Sequence, residues 1–195
     1  DHVDHAHARE KGITVSYVPH YGSQTVAEYA FALMLALSRK AYAAYDALRS
    51  DGSRDVKKYE GFDLKGKTLG VIGTGAIGRH SVSIAQGFGM KVIAYDLYPN
   101  EEFAAESDIV YKESVQEVLA ESDIVTLHVP SSPENHHMIN AESLAGAKKG
   151  IYVINTARGD LVDTVALTQA IQSGQVAGAG LDVYEGEKFI TDEGT

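Results

Sequence analysis

The chain has 195 residues, enough for one buried core and little more. Hydrophobic residues at 44% and charged residues at 23% make an ordinary globular balance that excludes global disorder. Acidic residues (27) outnumber basic ones (17), for a formal net charge of −10, and no run of Lys or Arg forms a basic patch, so nucleic acid and anionic lipid are not expected partners.

The longest unbroken apolar run, Ala30 to Leu37, is far too short to span a bilayer. There is no Cys, which removes disulfides, thiolate metal sites and a Cys nucleophile and fits a cytoplasmic protein. The charged, His-rich start does not read as a signal peptide.

In chain order, Asp4 caps a short predicted helix through Lys11, which Gly12 ends. Ile13 to Val18 alternates and is β-branched, so it reads as a strand. Thr25-Val-Ala-Glu28 has the pattern of a capping box. One long helix is predicted from there to about Leu48, apolar on nearly every side and therefore buried all round or part of a subunit interface. Asp51 to Gly66 is polar and glycine-containing, a loop with a possible domain boundary.

From Lys67 the pattern alternates. Strands are predicted at Thr68–Ile72, Lys91–Tyr95, Ile124–Val129, Ile151–Asn155 and Val176–Asp182. Helices are predicted at Ala76–Gly87, Ser114–Glu121, Ala141–Ala147 and Asp163–Ser173, with a second capping box at Ser114-Val-Gln-Glu117. The strand runs are continuously apolar or β-branched, as parallel strands covered on both faces should be. The fold class is therefore α/β, a doubly wound parallel sheet of the Rossmann kind.

Gly73-Thr-Gly75-Ala-Ile-Gly78 follows a strand and opens a helix. Gly73 permits a tight turn, Gly75 lets the backbone approach a pyrophosphate, and Gly78 lets helix and strand pack closely. The helix N-terminus then presents N–H groups and a positive dipole end to phosphate. Asp96 ends the second strand, 18 residues after Gly78, where a carboxylate can bind ribose hydroxyls. A carboxylate repels a 2′-phosphate, and no Arg or Lys follows in Leu97-Tyr-Pro-Asn100, so the cofactor read from the loop is NAD rather than NADP.

With these residues, and with Val18-Pro-His-Tyr-Gly22, His128-Val-Pro130, Ile154-Asn-Thr-Ala-Arg-Gly159, Leu161-Val-Asp163 and Leu181-Asp-Val-Tyr-Glu-Gly-Glu187, the chain resembles the D-2-hydroxyacid dehydrogenase family along most of its length. The Asp182 to Glu187 run most resembles the D-lactate dehydrogenase branch; a phosphoglycerate dehydrogenase would usually show Pro near that point. The resemblance implies hydride transfer between nicotinamide and C2 of a short 2-keto acid, with pyruvate to D-lactate as the leading case. A bulkier 2-keto acid or a 3-phosphoglycerate-type substrate stays open, as does a nucleotide-sensing module similar to the corepressors that share the fold.

The resemblance further implies roles residue by residue. Arg158 grips the substrate carboxylate and polarises its ketone, a task suited to a planar, always charged guanidinium. Glu187 orients a catalytic His. Asp182 lies beside the nicotinamide carboxamide, Ala76 and Ile77 belong to the phosphate turn, Val129, Pro130 and Asn135 form the adenosine-side wall, and Thr156 and Ala157 give backbone contacts near the nicotinamide ribose. Tyr21 sits in a loop that approaches substrate. The family's catalytic His stands in a Pro-His segment beyond the Glu, and none of the eight His residues takes that place, so this chain is expected to carry two of three catalytic side chains and to be inactive alone. The expected organisation is 1–20 as a remnant of a substrate domain or hinge, 21–66 as interface helix and linker, 67–182 as the dinucleotide-binding domain, and 183–195 as the start of a return to the substrate domain. A homodimer through the helix after Thr25 is expected.

No metal is expected. His2, His5 and His7 read as solvated histidines, because residues two apart on a helix do not share a face. His136-His137 reads as a surface or cofactor-rim pair, since adjacent side chains diverge. His20 is not expected to be the catalytic acid.

Overall fold

The computed structural model describes residues 3–19, 21–50, 52 and 57–187. The first helix, α1 (His5–Glu10), is capped as its sequence requires: the Asp4 carboxylate accepts from the His7 N–H at 2.9 Å. Residues 13–18 form no strand. Alternation supplies β-propensity, but a strand also needs a neighbouring edge, and here Tyr17 and Val18 stand 86% and 71% exposed.

The single long helix expected after Thr25 is two helices, α2 (Ser23–Ser38) and α3 (Ala41–Ser50). The break has a tertiary cause. The Phe62 N–H donates to the Ser38 carbonyl at 2.9 Å, taking it out of the helical ladder, and Lys40 turns into the left-handed region at φ 50°. The Thr25 capping box is also not formed. Gly22 is the N-cap, Thr25 lies inside the first turn, and Glu28 accepts from the Gln24 side chain at 2.8 Å instead.

The helix α2 is not buried all round. Ala27, Ala30, Phe31 and Met34 are buried, while Thr25, Glu28, Tyr29 and Ala32 are exposed. Its buried face joins Leu69, Val71, Val82 and Ile154 in one of two apolar clusters, so it covers the sheet as well as offering a free flank.

Six parallel strands follow: β1 (Thr68–Ile72), β2 (Lys91–Tyr95), β3 (Val110–Tyr111), β4 (Ile124–Leu127), β5 (Ile151–Asn155) and β6 (Val176–Leu181), in the order β3-β2-β1-β4-β5-β6. The helices α4 (Ala76–Gly87), α5 (Glu101–Glu106), α6 (Val115–Glu121), α7 (Ala141–Ala145) and α8 (Thr164–Gln172) connect them. Both faces are covered, one by the cluster around Val118, Leu144 and Leu167 and the other by the α2 cluster, which is why β4 is buried at every position. The pair α5–β3 was missing from the sequence reading; β3 is two residues long, too short for a periodic signal. At α6, Ser114 caps the Glu117 N–H at 3.2 Å, but the Glu117 carboxylate accepts from Glu113 rather than from the cap itself. Among the described residues no helix is long and apolar enough to cross a membrane.

Strand order reverses between β1 and β4. Their carboxyl ends, Ile72 and Leu127, are register partners, so the chain leaves both strands at one point, the crevice where open α/β sheets bind ligands.

Candidate functional site

The glycine loop fills that crevice. Gly73 has φ 93°, and a Cβ there would lie 2.7 Å from the His128 carbonyl oxygen and from Val129 Cγ1, so only glycine fits. Gly75 begins α4 with no side-chain cap, and a Cβ there would meet nothing within 4 Å. Gly78 is buried; its Cβ would stand 2.0 Å from the Gly73 carbonyl oxygen, which sets how closely α4 returns on β1. Ala76 and Ile77 lie between them at the uncapped first turn, with unclaimed dipole and N–H groups suited to an anion.

Asp96 is tied to this loop. One carboxylate oxygen accepts from the Thr74 N–H at 2.6 Å and from its hydroxyl at 2.9 Å, and the other accepts from the Tyr98 N–H at 2.9 Å. An ionised carboxylate has about four acceptor positions, so roughly one stays open for an incoming hydroxyl. Thr74, which the glycine spacing gives no task, is the buried link between loop and acid.

A cleft of about 860 Å³ opens beside Asp96, bounded across from it by Val129, Pro130, Asn135 and His137. Its acidic residues are Asp96, Glu113 and Glu134, and among the described residues lining it there is no Lys or Arg. The Asn135 side chain is occupied in shaping the wall: it donates to the Pro130 carbonyl and accepts from the Ser132 N–H, both at 2.8 Å. A second cavity of about 320 Å³ shares Gly75 and His128 with the first and is closed by Tyr17, Pro19 and Tyr21, the last 88% exposed. His20 lies outside the described residues.

The end of β5 carries the other group. Buried Asn155 brackets the turn, its amide donating to the Arg158 carbonyl at 2.8 Å and its oxygen accepting from the Ala157 N–H at 3.0 Å. Sequence reasoning gave Asn155 no task beyond ending a strand. The exposed Arg158 side chain donates from Nη1 to the Ala157 carbonyl at 2.7 Å. Thr156 Oγ1 is buried with no hydrogen-bond partner. Such an orphan beside a ligand-binding edge fits a site whose ligand completes it. Asp182 is exposed and its N–H donates to the Asn155 carbonyl at 2.9 Å. The segment 184–185 then crosses Gly159 so tightly that a Cβ there would lie 2.2 Å from the Tyr184 carbonyl. Glu187 is exposed at the end of the described residues.

His128 gains a definite property. Its Nε2 is 2.9 Å from Ser81 Oγ and 3.1 Å from Thr126 Oγ1, and burial lowers its pKa from the ordinary 6.5 to about 4. It is neutral at pH 7 and cannot serve there as an imidazolium acid. The unfolded chain takes up this proton near 6.5, whereas the folded protein resists it down to about 4. The contribution to stability is therefore intact above 6.5 and lost as pH falls toward 4, by at most about 3 kcal/mol. Melting temperature is expected to fall across that window, and His128→Asn should flatten the fall; superimposable pH profiles would remove His128 from the acid response.

A strand-order switch, a glycine turn onto a helix N-terminus and an acid at the next strand end define a dinucleotide-binding α/β domain. Residues 31–194 match the family model for the D-isomer specific 2-hydroxyacid dehydrogenase NAD-binding domain, and the chain belongs to that family. It is 46% identical over 191 residues to a 2-hydroxyacid dehydrogenase homolog of Schizosaccharomyces pombe, covering 97% of this chain and 57% of that one. It is 42% identical to the D-lactate dehydrogenase of Leuconostoc mesenteroides subsp. cremoris, covering 96% and 56%. The solved D-lactate dehydrogenase of Aquifex aeolicus, complexed with NAD and lactic acid, superposes with a TM-score of 0.84 at 42% identity, covering 100% and 59%. The chain thus spans little more than half the length of these relatives.

Proposed function

We propose that the whole protein is an NAD-dependent oxidoreductase that reduces a short 2-keto acid to the D-2-hydroxy acid, with pyruvate to D-lactate as the leading pair, and that this chain is its cofactor-binding part. The observation that carries the reading is the glycine turn bonded through Thr74 to Asp96 at the strand-order switch. NAD, when bound, supplies the hydride. Ala76, Ile77 and Gly78 hold the pyrophosphate with their N–H groups, and the open acceptor position of Asp96 takes a ribose hydroxyl. Val129, Pro130 and the loop that Asn135 braces wall the adenosine end. Thr156, Ala157 and Asp182 meet the nicotinamide end, where Arg158 grips the substrate carboxylate and polarises the ketone. Glu187 orients the proton donor, which in this reading is the histidine that the family resemblance places beyond it.

The test is oxidation of NADH by the full-length protein with pyruvate and with larger 2-keto acids. Turnover on pyruvate supports the leading pair. Turnover only on a bulkier acid moves the substrate but keeps the reaction. Silence with every short 2-keto acid would defeat the enzyme reading and leave a nucleotide-sensing module.

Asp96→Ala is expected to weaken NADH binding by about 10–100-fold, the scale of a lost hydrogen bond to a charged group, and to narrow the preference over NADPH. Unchanged titration curves for both cofactors would contradict its assignment. A homodimer belongs to the same reading: an apolar groove lined by Phe31, Leu35, Ile84 and Phe88 runs between α2 and α4. Light scattering at micromolar concentration should give twice the subunit mass, and a clean monomer would remove this element.

A further inference from the structure

We propose that His136, His137 and Glu185 form a binding site for one divalent transition-metal ion of the zinc class. This revises the sequence expectation of no metal, and the reason is conformational. Adjacent residues on an ordinary extended chain diverge, but His137 sits in the left-handed region at φ 52°. Two hydrogen bonds hold it there: its N–H donates to the Asp160 carbonyl, and its carbonyl accepts from the Asn140 amide, both at 2.9 Å. The turn brings the two rings side by side, with centroids 3.9 Å apart and planes 29° from parallel.

Glu185 arrives from a segment 48 residues away. Its Oε1 lies 2.7 Å from His137 Nε2. The backbone that delivers it rests on Gly159, where a Cβ would stand 2.7 Å from the Glu185 N. One ligand atom from each of the three side chains falls within 4.8 Å of the other two. Ligand atoms on a tetrahedral ion, at about 2.0–2.2 Å from the metal, lie roughly 3.3–3.6 Å apart. Side-chain shifts of about an ångström therefore close the site, and the His137 and Glu185 side chains, 29% and 38% exposed, have room for them.

Two imidazoles and a single carboxylate select the ion. The set suits Zn2+, Ni2+, Co2+ or Cu2+, whereas Mg2+ and Ca2+ want mainly oxygen ligands. Three protein ligands leave a fourth position for water. A bare His137–Glu185 hydrogen bond is the competing account, but it does not call for His136 stacked beside it. Occupied, the site would pin the segment before Glu187 against the rim of the 860 Å³ cleft, which His136 and His137 both line. The site stands on its own geometry and does not depend on the dehydrogenase reading.

The experiment is calorimetric titration of the full-length, chelator-stripped protein with Zn2+ alone, supported by Co2+ absorption spectra. The expected result is one ion bound with a dissociation constant of about micromolar order. Glu185→Gln and His136→Ala should each weaken uptake by at least about tenfold, leave the metal-free melting temperature unchanged and abolish the intense tetrahedral Co2+ bands. A His5→Ala/His7→Ala double variant should bind like the parent. Failure of the parent to bind, parental affinity in both Glu185→Gln and His136→Ala, or loss in the His5/His7 variant would each overturn the site. NADH titration of the same samples keeps its failure distinct from failure of the cofactor reading.

Discussion

On the proposed dehydrogenase reading, replacing Arg158 by lysine in the full-length protein is expected to lower turnover on a short 2-keto acid by about 10²–10³-fold, the scale of losing one donor to a developing oxyanion, with NADH affinity nearly unchanged. The structure explains why so small a change should cost so much. Arg158 follows a fully buried strand end, and Asn155 clamps its carbonyl and the preceding N–H. The backbone at the base of the side chain is therefore set before any ligand arrives. A guanidinium on such a base presents a planar fork to a carboxylate, whereas lysine offers one mobile point charge. Steady-state kinetics and fluorescence titration of NADH separate the two effects. Parental turnover would remove Arg158 from the mechanism, and an equal loss of NADH affinity would make its role one of cofactor binding.

The second large effect comes from a methyl group. Gly78→Ala should destabilise the protein by about 3 kcal/mol or more and abolish NADH binding. Alanine is favoured over glycine inside a helix by about 1 kcal/mol, so propensity alone would give the opposite sign. Packing decides the contest: the added Cβ would lie 2.0 Å from the Gly73 carbonyl oxygen and 3.0 Å from its carbon, and backbone cannot step aside as a rotamer can. Gly75→Ala is the companion variant. Its φ is −65° and its Cβ would meet nothing, so it should fold with the parental melting temperature. It should nonetheless weaken NADH, because the methyl would stand where the backbone is proposed to meet the pyrophosphate. A parental melting temperature in Gly78→Ala would contradict the close packing of α4, and parental NADH affinity in Gly75→Ala would take Gly75 out of the phosphate site.

Much of the sheet could be read from the residues, and the reason is local. A parallel strand covered on both faces needs apolar or β-branched side chains at nearly every position, and β1, β2 and β5 were bounded to the residue. The short β3 lacked enough residues to show any pattern. Two expected ends, Val129 and Asp182, overran β4 and β6, which stop at Leu127 and Leu181 where the chain turns off into the crevice.

The N-terminal errors share another cause. Residues 13–18 have strand composition without a neighbouring edge, and the helix after Gly22 breaks where Phe62, from a distant segment, takes the Ser38 carbonyl. Neither is encoded within a short window.

For the site, the sequence by itself determined the chemistry on offer: glycines where only glycine fits, an acid at the second strand end, an arginine after a buried strand. The spacing of the motif reveals them, although the demand at Gly73 comes from His128 and Val129 across the strand-order switch. Only the tertiary structure decided that Thr74 joins loop to acid, that Asn155 braces Arg158, that Gly159 is crossed by the chain ahead of Glu187, and that His137, stacked on His136, meets Glu185. Each of these rests on groups brought together by the packing of the sheet and its return segments, and on a single backbone angle at His137 that composition and periodicity do not carry.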